Sequence, residues 1–197
     1  MICAPDSVPG WPIPPGGGFT AEEFLRMQGL SPHAQLIDGG LVFASPQRKW
    51  NASVVGFLWA ELDAQAPDGH RADREMAVRL GKHQVPEPDV LVVSTEAFER
   101  ETPDTHYLPQ DLLLVVEAVS PDSVDHDRET KPCKYARAGI PYFWRVENEG
   151  GRTVVYTYQL DPATKGYGLT GIHHGRLKTD APFPVVVDLA AVRAKRG

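Results

Sequence analysis

The chain has 197 residues, 42% of them hydrophobic, and carries 20 Lys and Arg against 26 Asp and Glu, a net charge of −6. That size supports one core and not two full domains, and the acidic balance excludes a protein that coats nucleic acid through a generally basic surface. The cysteines, Cys3 and Cys133, lack CxxC spacing, and no stretch approaches the ~20 apolar residues a membrane helix needs, so a cytoplasmic protein without disulfides or a membrane span is expected.

Residues 1–18 are rich in Pro and Gly and read as a flexible arm ahead of a single domain over 19–197. Thr20 followed by Glu23 is a capping box that predicts a helix through AEEFLRMQ, stopped by Gly29 and Pro32. Asp38-Gly39 inside AQLIDGGLVFAS predicts a tight hairpin. From Trp50 to Ala66 the apolar positions Val54, Val55, Leu58, Trp59 and Leu62 recur at helical spacing, which predicts a helix lying on a sheet.

Strands are predicted over 71–80, 88–93 and 111–119, with an exposed helix or loop from Thr95 to Pro109. The run at 112–116 has no polar alternation, as a central strand buried on both faces requires. After the polar segment SPDSVDHDRET a helix is predicted over 130–138, with Thr130 as cap and Pro132 in the first turn. YFWRVE, RTVVYTYQL, YGLTGIHH and PFPVVVDL read as further strands.

Two acids interrupt the apolar runs: Asp89 in PEPDVLVV and Glu117 in LLLVVEAVSPDS. An ionised carboxylate is costly to bury unless paired, hydrogen-bonded or bound to metal, so two on neighbouring core strands point to a shared cation. A hard cation such as Mg²⁺ or Mn²⁺ takes oxygen ligands and can activate water for phosphodiester hydrolysis, with Lys131 near by to neutralise charge. Glu75 is a candidate to support the cation-binding acids without touching the cation, Glu87 is given no role, and His173-His174 read as exposed strand-end residues. Arg48, Lys49, Arg128, Lys134 and Arg137 form a candidate basic fringe for phosphate contacts.

PEPDVLVV, VVEAVSPDS and DRETKPCKYARAGIPYFWRV together resemble the bacterial family of "putative restriction endonucleases" within the PD-(D/E)XK nuclease superfamily, over roughly Phe19 to Leu189. The most specific block is Asp127, Lys131, Tyr135, Ala136, Ala138, Gly139 and Pro141. The resemblance implies an α/β fold with a restriction-endonuclease-like mixed central sheet flanked by helices and extra antiparallel C-terminal strands. It implies that Asp89 and Glu117 bind Mg²⁺ (or Mn²⁺) with the backbone carbonyl of Ala118, and that cleavage of DNA leaves a 3′-hydroxyl and a 5′-phosphate.

The superfamily lysine stands two residues after the second acid, where this chain has Val119. The resemblance implies that Lys131 takes its place, with Asp127 and Tyr135 in support. Gln35 occupies the supporting position where the family carries a glutamate, Gly40 stands at its second glutamate, and Trp50 replaces a customary histidine. A catalytically inactive nuclease-fold module that binds DNA or protein is therefore the competing expectation, and a homodimer the expected assembly.

Overall fold

The computed structural model describes residues 12–43 and 47–194. Residues 1–11 of the expected arm lie outside them; Pro12–Gly17 are exposed, and buried structure begins at Phe19. Helix α1 (Ala21–Arg26) starts on the expected capping box, with Thr20 Oγ1 accepting from the Glu23 N–H and the Glu23 carboxylate accepting from the Thr20 N–H. It ends two residues early, in extended backbone at Met27.

The predicted hairpin is present as β1 (Gln35–Ile37) and β2 (Gly40–Val42). Its turn places Asp38 at φ 52° and Gly39 at φ 78°, the left-handed pair that a two-residue hairpin of this hand needs. Gly39 also packs backbone to backbone on Gly18, so that a Cβ there would stand 2.9 Å from Gly18 Cα. Gly39→Ala is expected to cost about 1–3 kcal/mol, read as a lower midpoint in thermal unfolding.

Six strands build the central sheet: β3 (His70–Arg74), β5 (Val90–Ser94), β7 (Leu112–Ala118), β8 (Tyr142–Glu149), β9 (Arg152–Asp161) and β10 (Gly166–His174). Their order is β10-β9-β8-β7-β5-β3, with β7 and β8 parallel and every other pair antiparallel. Helix α2 (Lys49–Gln65) covers one face, burying Val54, Val55, Leu58 and Leu62 against Val90, Val92, Leu114 and Val116. Helix α4 (Lys131–Arg137) covers the other, where Tyr135 meets Leu91, Val93, Val115 and Phe143. Strands β5 and β7 thus bury both pleat faces, which is why their sequences are unbroken apolar runs.

Four expectations need correction. The strand predicted over 71–80 breaks at Glu75, whose φ of 53° divides β3 from β4 (Ala77–Val78). The segment after β5 is more structured than expected: α3 (Thr95–Glu99) is capped by Ser94, and β6 (His106–Tyr107) pairs in parallel with β4. A strand absent from the sequence reading, β11 (Arg176–Thr179), pairs with β12 (Val185–Asp188) and buries Leu177 beside Val185 and Val187.

Thr130, finally, does not cap α4, because a π-helical turn over His126–Thr130 runs straight into it and Thr130 is itself helical. The Lys131 N–H therefore donates to the His126 carbonyl. Lys131 thus does not stand at a free helix start.

Candidate functional site

Side chains alternate across a strand. On β7, Leu114, Val116 and Ala118 face α2, so Val115 and Glu117 face α4. Glu117 is 1% exposed, and both of its oxygens are engaged: Lys131 Nζ donates to Oε2 at 2.9 Å and the Tyr135 hydroxyl to Oε1 at 2.5 Å. Positions 131 and 135 lie one turn apart on α4, which is why both reach the same carboxylate.

Asp89 sits at a bend immediately before β5, beside the end of β7, where Val90 pairs with Val116. Its Oδ2 accepts the Ala118 N–H at 2.6 Å, fixing one acid against the strand that carries the other. The Ala118 carbonyl in turn accepts from Asn51 Nδ2 at 2.8 Å, a link from α2 that the sequence does not announce.

Lys131 also lies 3.1 Å from Asp127 Oδ1, close in charge although not aligned as a hydrogen bond, while Ser123 Oγ donates to Asp127 Oδ2. Burial alone would lower the Lys131 ammonium, but Glu117, Asp127 and Asp89 outweigh it and hold the group above its usual value. The acids carry the opposite consequence. Burial, opposed by Lys131 and reinforced by neighbouring acids, pushes Glu117 up to about 8 and Asp89 up to about 6. Three carboxylates around one ammonium leave negative charge that a proton or a further cation can relieve.

These groups open on a cleft of about 500 Å³. Its lining joins Gln35, Asn51, Asp89, Glu117, Ala118, Asp127 and Lys131, together with Glu75, the candidate supporting acid, and Glu87, for which the sequence predicts no role. Glu75 accepts from Gln47 at 2.9 Å, and Glu87 Oε1 lies 2.5 Å from His33 Nδ1. Gln35 Oε1 accepts the Glu87 N–H at 3.1 Å.

The basic fringe is mostly directed elsewhere. Arg48 lines the cleft 3.3 Å from Asp122. Lys49, Arg128, Lys134 and Arg137 do not line it; Arg128 pairs with Glu147, and Lys134 reaches Asp38 at 2.7 Å. Val119 is buried and holds the Val146 carbonyl through its N–H, so nothing at that position substitutes for a lysine. Trp50 packs partly buried on the α2-side core.

No group of three or more His, Cys, Asp and Glu side chains among the described residues is arranged to hold a metal ion. Asp89, Glu117 and the Ala118 carbonyl nevertheless fit a hard divalent cation by donor chemistry: oxygen donors, excess negative charge, and an adjoining cleft that admits the waters Mg²⁺ keeps.

Comparison with known proteins agrees with this architecture. The sequence pattern of the Uma2 family, described as "Putative restriction endonuclease", matches residues 21–190. No curated protein matches the chain. The crystal structure of a "putative nuclease belonging to DUF820" from Anabaena variabilis has a TM-score of 0.69 at 14% identity, covering 89% of this chain and 98% of that one. At that identity the likeness speaks for the fold alone. NucC from P. aeruginosa in its cAAA-bound form reaches a TM-score of 0.34 at 14% identity over 59% of this chain and 69% of that one, and carries no argument.

Proposed function

The chain belongs to the Uma2 family, and from that premise we propose that it is a metal-dependent endonuclease that hydrolyses DNA phosphodiester bonds at the Asp89–Glu117 cleft. The observation that carries the proposal is Glu117, buried on a central strand with the Lys131 ammonium 2.9 Å away and Asp89 tied to the next residue of the same strand. Carboxylates and a cation packed into a sheet end store no stability that an apolar trio would not supply more cheaply. Their place in a cleft argues for chemistry instead.

Asp89, Glu117 and the Ala118 carbonyl would hold Mg²⁺ or Mn²⁺, which when bound supplies a water of lowered pKa and charge stabilisation at phosphorus. Asp89 is held by the Ala118 N–H and Glu117 by the Tyr135 hydroxyl, so neither donor must be ordered when substrate arrives. Lys131 contributes the positive charge that the pentacoordinate phosphate needs, and Asp127, braced by Ser123, keeps its ammonium over the cleft. Val119 thus departs from the superfamily pattern in sequence only, since the amine arrives from α4.

The competing reading, a silent nuclease-fold module that binds DNA or protein, draws on one specific observation: both Glu117 oxygens are already engaged within the protein. Plasmid incubated with purified protein and Mg²⁺ or Mn²⁺ separates the two. Nicking or linearisation is expected, and Asp89→Ala with Glu117→Ala should reduce it by roughly 10³-fold or more. Absence of cleavage, or cleavage that survives the double substitution, favours the silent module.

A further inference from the structure

Phosphodiester hydrolysis also requires that the departing oxygen receive a proton, and Asp89, Glu117 and Lys131 are committed to other tasks. The same cleft holds an imidazole suited to it. His33, on the loop before β1, lines the cleft with its backbone at φ 60°, a left-handed conformation uncommon outside glycine and concentrated at functional positions. Its Nδ1 lies 2.5 Å from Glu87 Oε1, and the Glu87 side chain is only 15% exposed against 50% for His33.

Glu87 is itself anchored, its N–H donating to Gln35 Oε1 at 3.1 Å. The amide that replaces the family's glutamate therefore positions the carboxylate that holds the histidine. A carboxylate on Nδ1 fixes ring and tautomer and leaves Nε2, which has no partner among the described residues, as the nitrogen that can serve substrate. The charged groups facing the ring are Glu87, hydrogen-bonded to it, then Glu75 from the break after β3 and Asp89 before β5; all favour the imidazolium, against partial burial.

We propose that His33, oriented by Glu87, donates the proton to the leaving 3′ oxygen. This deepens the endonuclease reading and rests on it. The water oxygen forms the new bond to phosphorus while its surplus proton passes to solvent. The P–O3′ bond breaks, the Nε2 proton moves to O3′, and the ring regains a proton from solvent, leaving a 3′-hydroxyl and a 5′-phosphate.

The test compares wild type with His33→Gln on plasmid and on bis(p-nitrophenyl) phosphate, whose nitrophenolate leaves without protonation. His33→Gln should lose about 10²-fold on plasmid, together with the high-pH decline of the rate, and less than about threefold on the nitrophenyl diester. Equal losses on both substrates, or none on plasmid while Asp89→Ala with Glu117→Ala is inactive, overturns the role of His33 and leaves the endonuclease reading standing. A wild type inactive on plasmid overturns both. NMR titration of the His33 ring reads the dyad without turnover: its pKa should fall in Glu87→Gln, and an unchanged value overturns the orientation by Glu87.

Discussion

Lys131→Met is expected to reduce cleavage by about 10²–10³-fold or more, and to destabilise the fold by about 3 kcal/mol. The side chains are similar in volume, so the loss is one of charge. Lys131 is the cation within 2.9 Å of Glu117 and 3.1 Å of Asp127, and all three side chains are buried. Without it nothing opposes the effect of burial on Glu117, which keeps its proton, and the penalty grows as pH rises and that proton becomes harder to hold. Adding Glu117→Gln and Asp127→Asn to Lys131→Met should restore most of the stability and none of the cleavage. Urea unfolding and plasmid nicking on the same preparations check both halves, and full activity in Lys131→Met would remove the amine from the mechanism.

The second large effect is on pH and metal together. Asp89 and Glu117 rise from ordinary values of 3.8 and 4.5 to about 6 and about 8, burial being the main cause in each. Between those limits the folded chain keeps protons that the unfolded chain releases, so these groups stabilise the metal-free protein at low pH and lose that contribution as pH rises through about 6 and then about 8. A divalent cation bound at the proposed site would need the ionised acids and would reverse the trend. The Tm of the metal-free protein should decline from about pH 5.5 to about pH 8.5, and the gain on adding Mn²⁺ should be larger at the upper value. Asp89→Asn with Glu117→Gln should flatten both dependences; a Mn²⁺ gain independent of pH would contradict the shared acidic site.

Much of the sheet was legible because its signals are local. Strands β5 and β7 announce themselves as apolar runs, α1 by its capping box, and the first hairpin by Asp38-Gly39. The acids were legible as the polar interruptions that such runs cannot absorb without a reason. That Lys131 stands in for the superfamily lysine rests on the resemblance, since no spacing rule ties a position on α4 to a strand end.

What stayed hidden is long-range or conformational. Asn51 meets the Ala118 carbonyl across a separation of 67 residues, and His33 meets Glu87 across 54; neither contact has a period to read. Glu75 looked like a strand residue because its left-handed backbone leaves no trace in composition. The π turn before Lys131 is hidden because Thr130 and Pro132 are residues that usually mark a free helix start. Asn51, His33, Glu75 and the π turn all lie in or beside the cleft, where local preference yields to the arrangement of the site.

If Asp89 and Glu117 share one divalent ion beside Lys131, as proposed, that ion should be visible by diffraction. Crystals grown or soaked in Mn²⁺ and measured at the manganese edge test it most directly. An anomalous peak bounded by the Asp89 and Glu117 carboxylates and the Ala118 carbonyl is expected, absent in Asp89→Asn with Glu117→Gln. A peak elsewhere, or one that persists in that double variant, would contradict it.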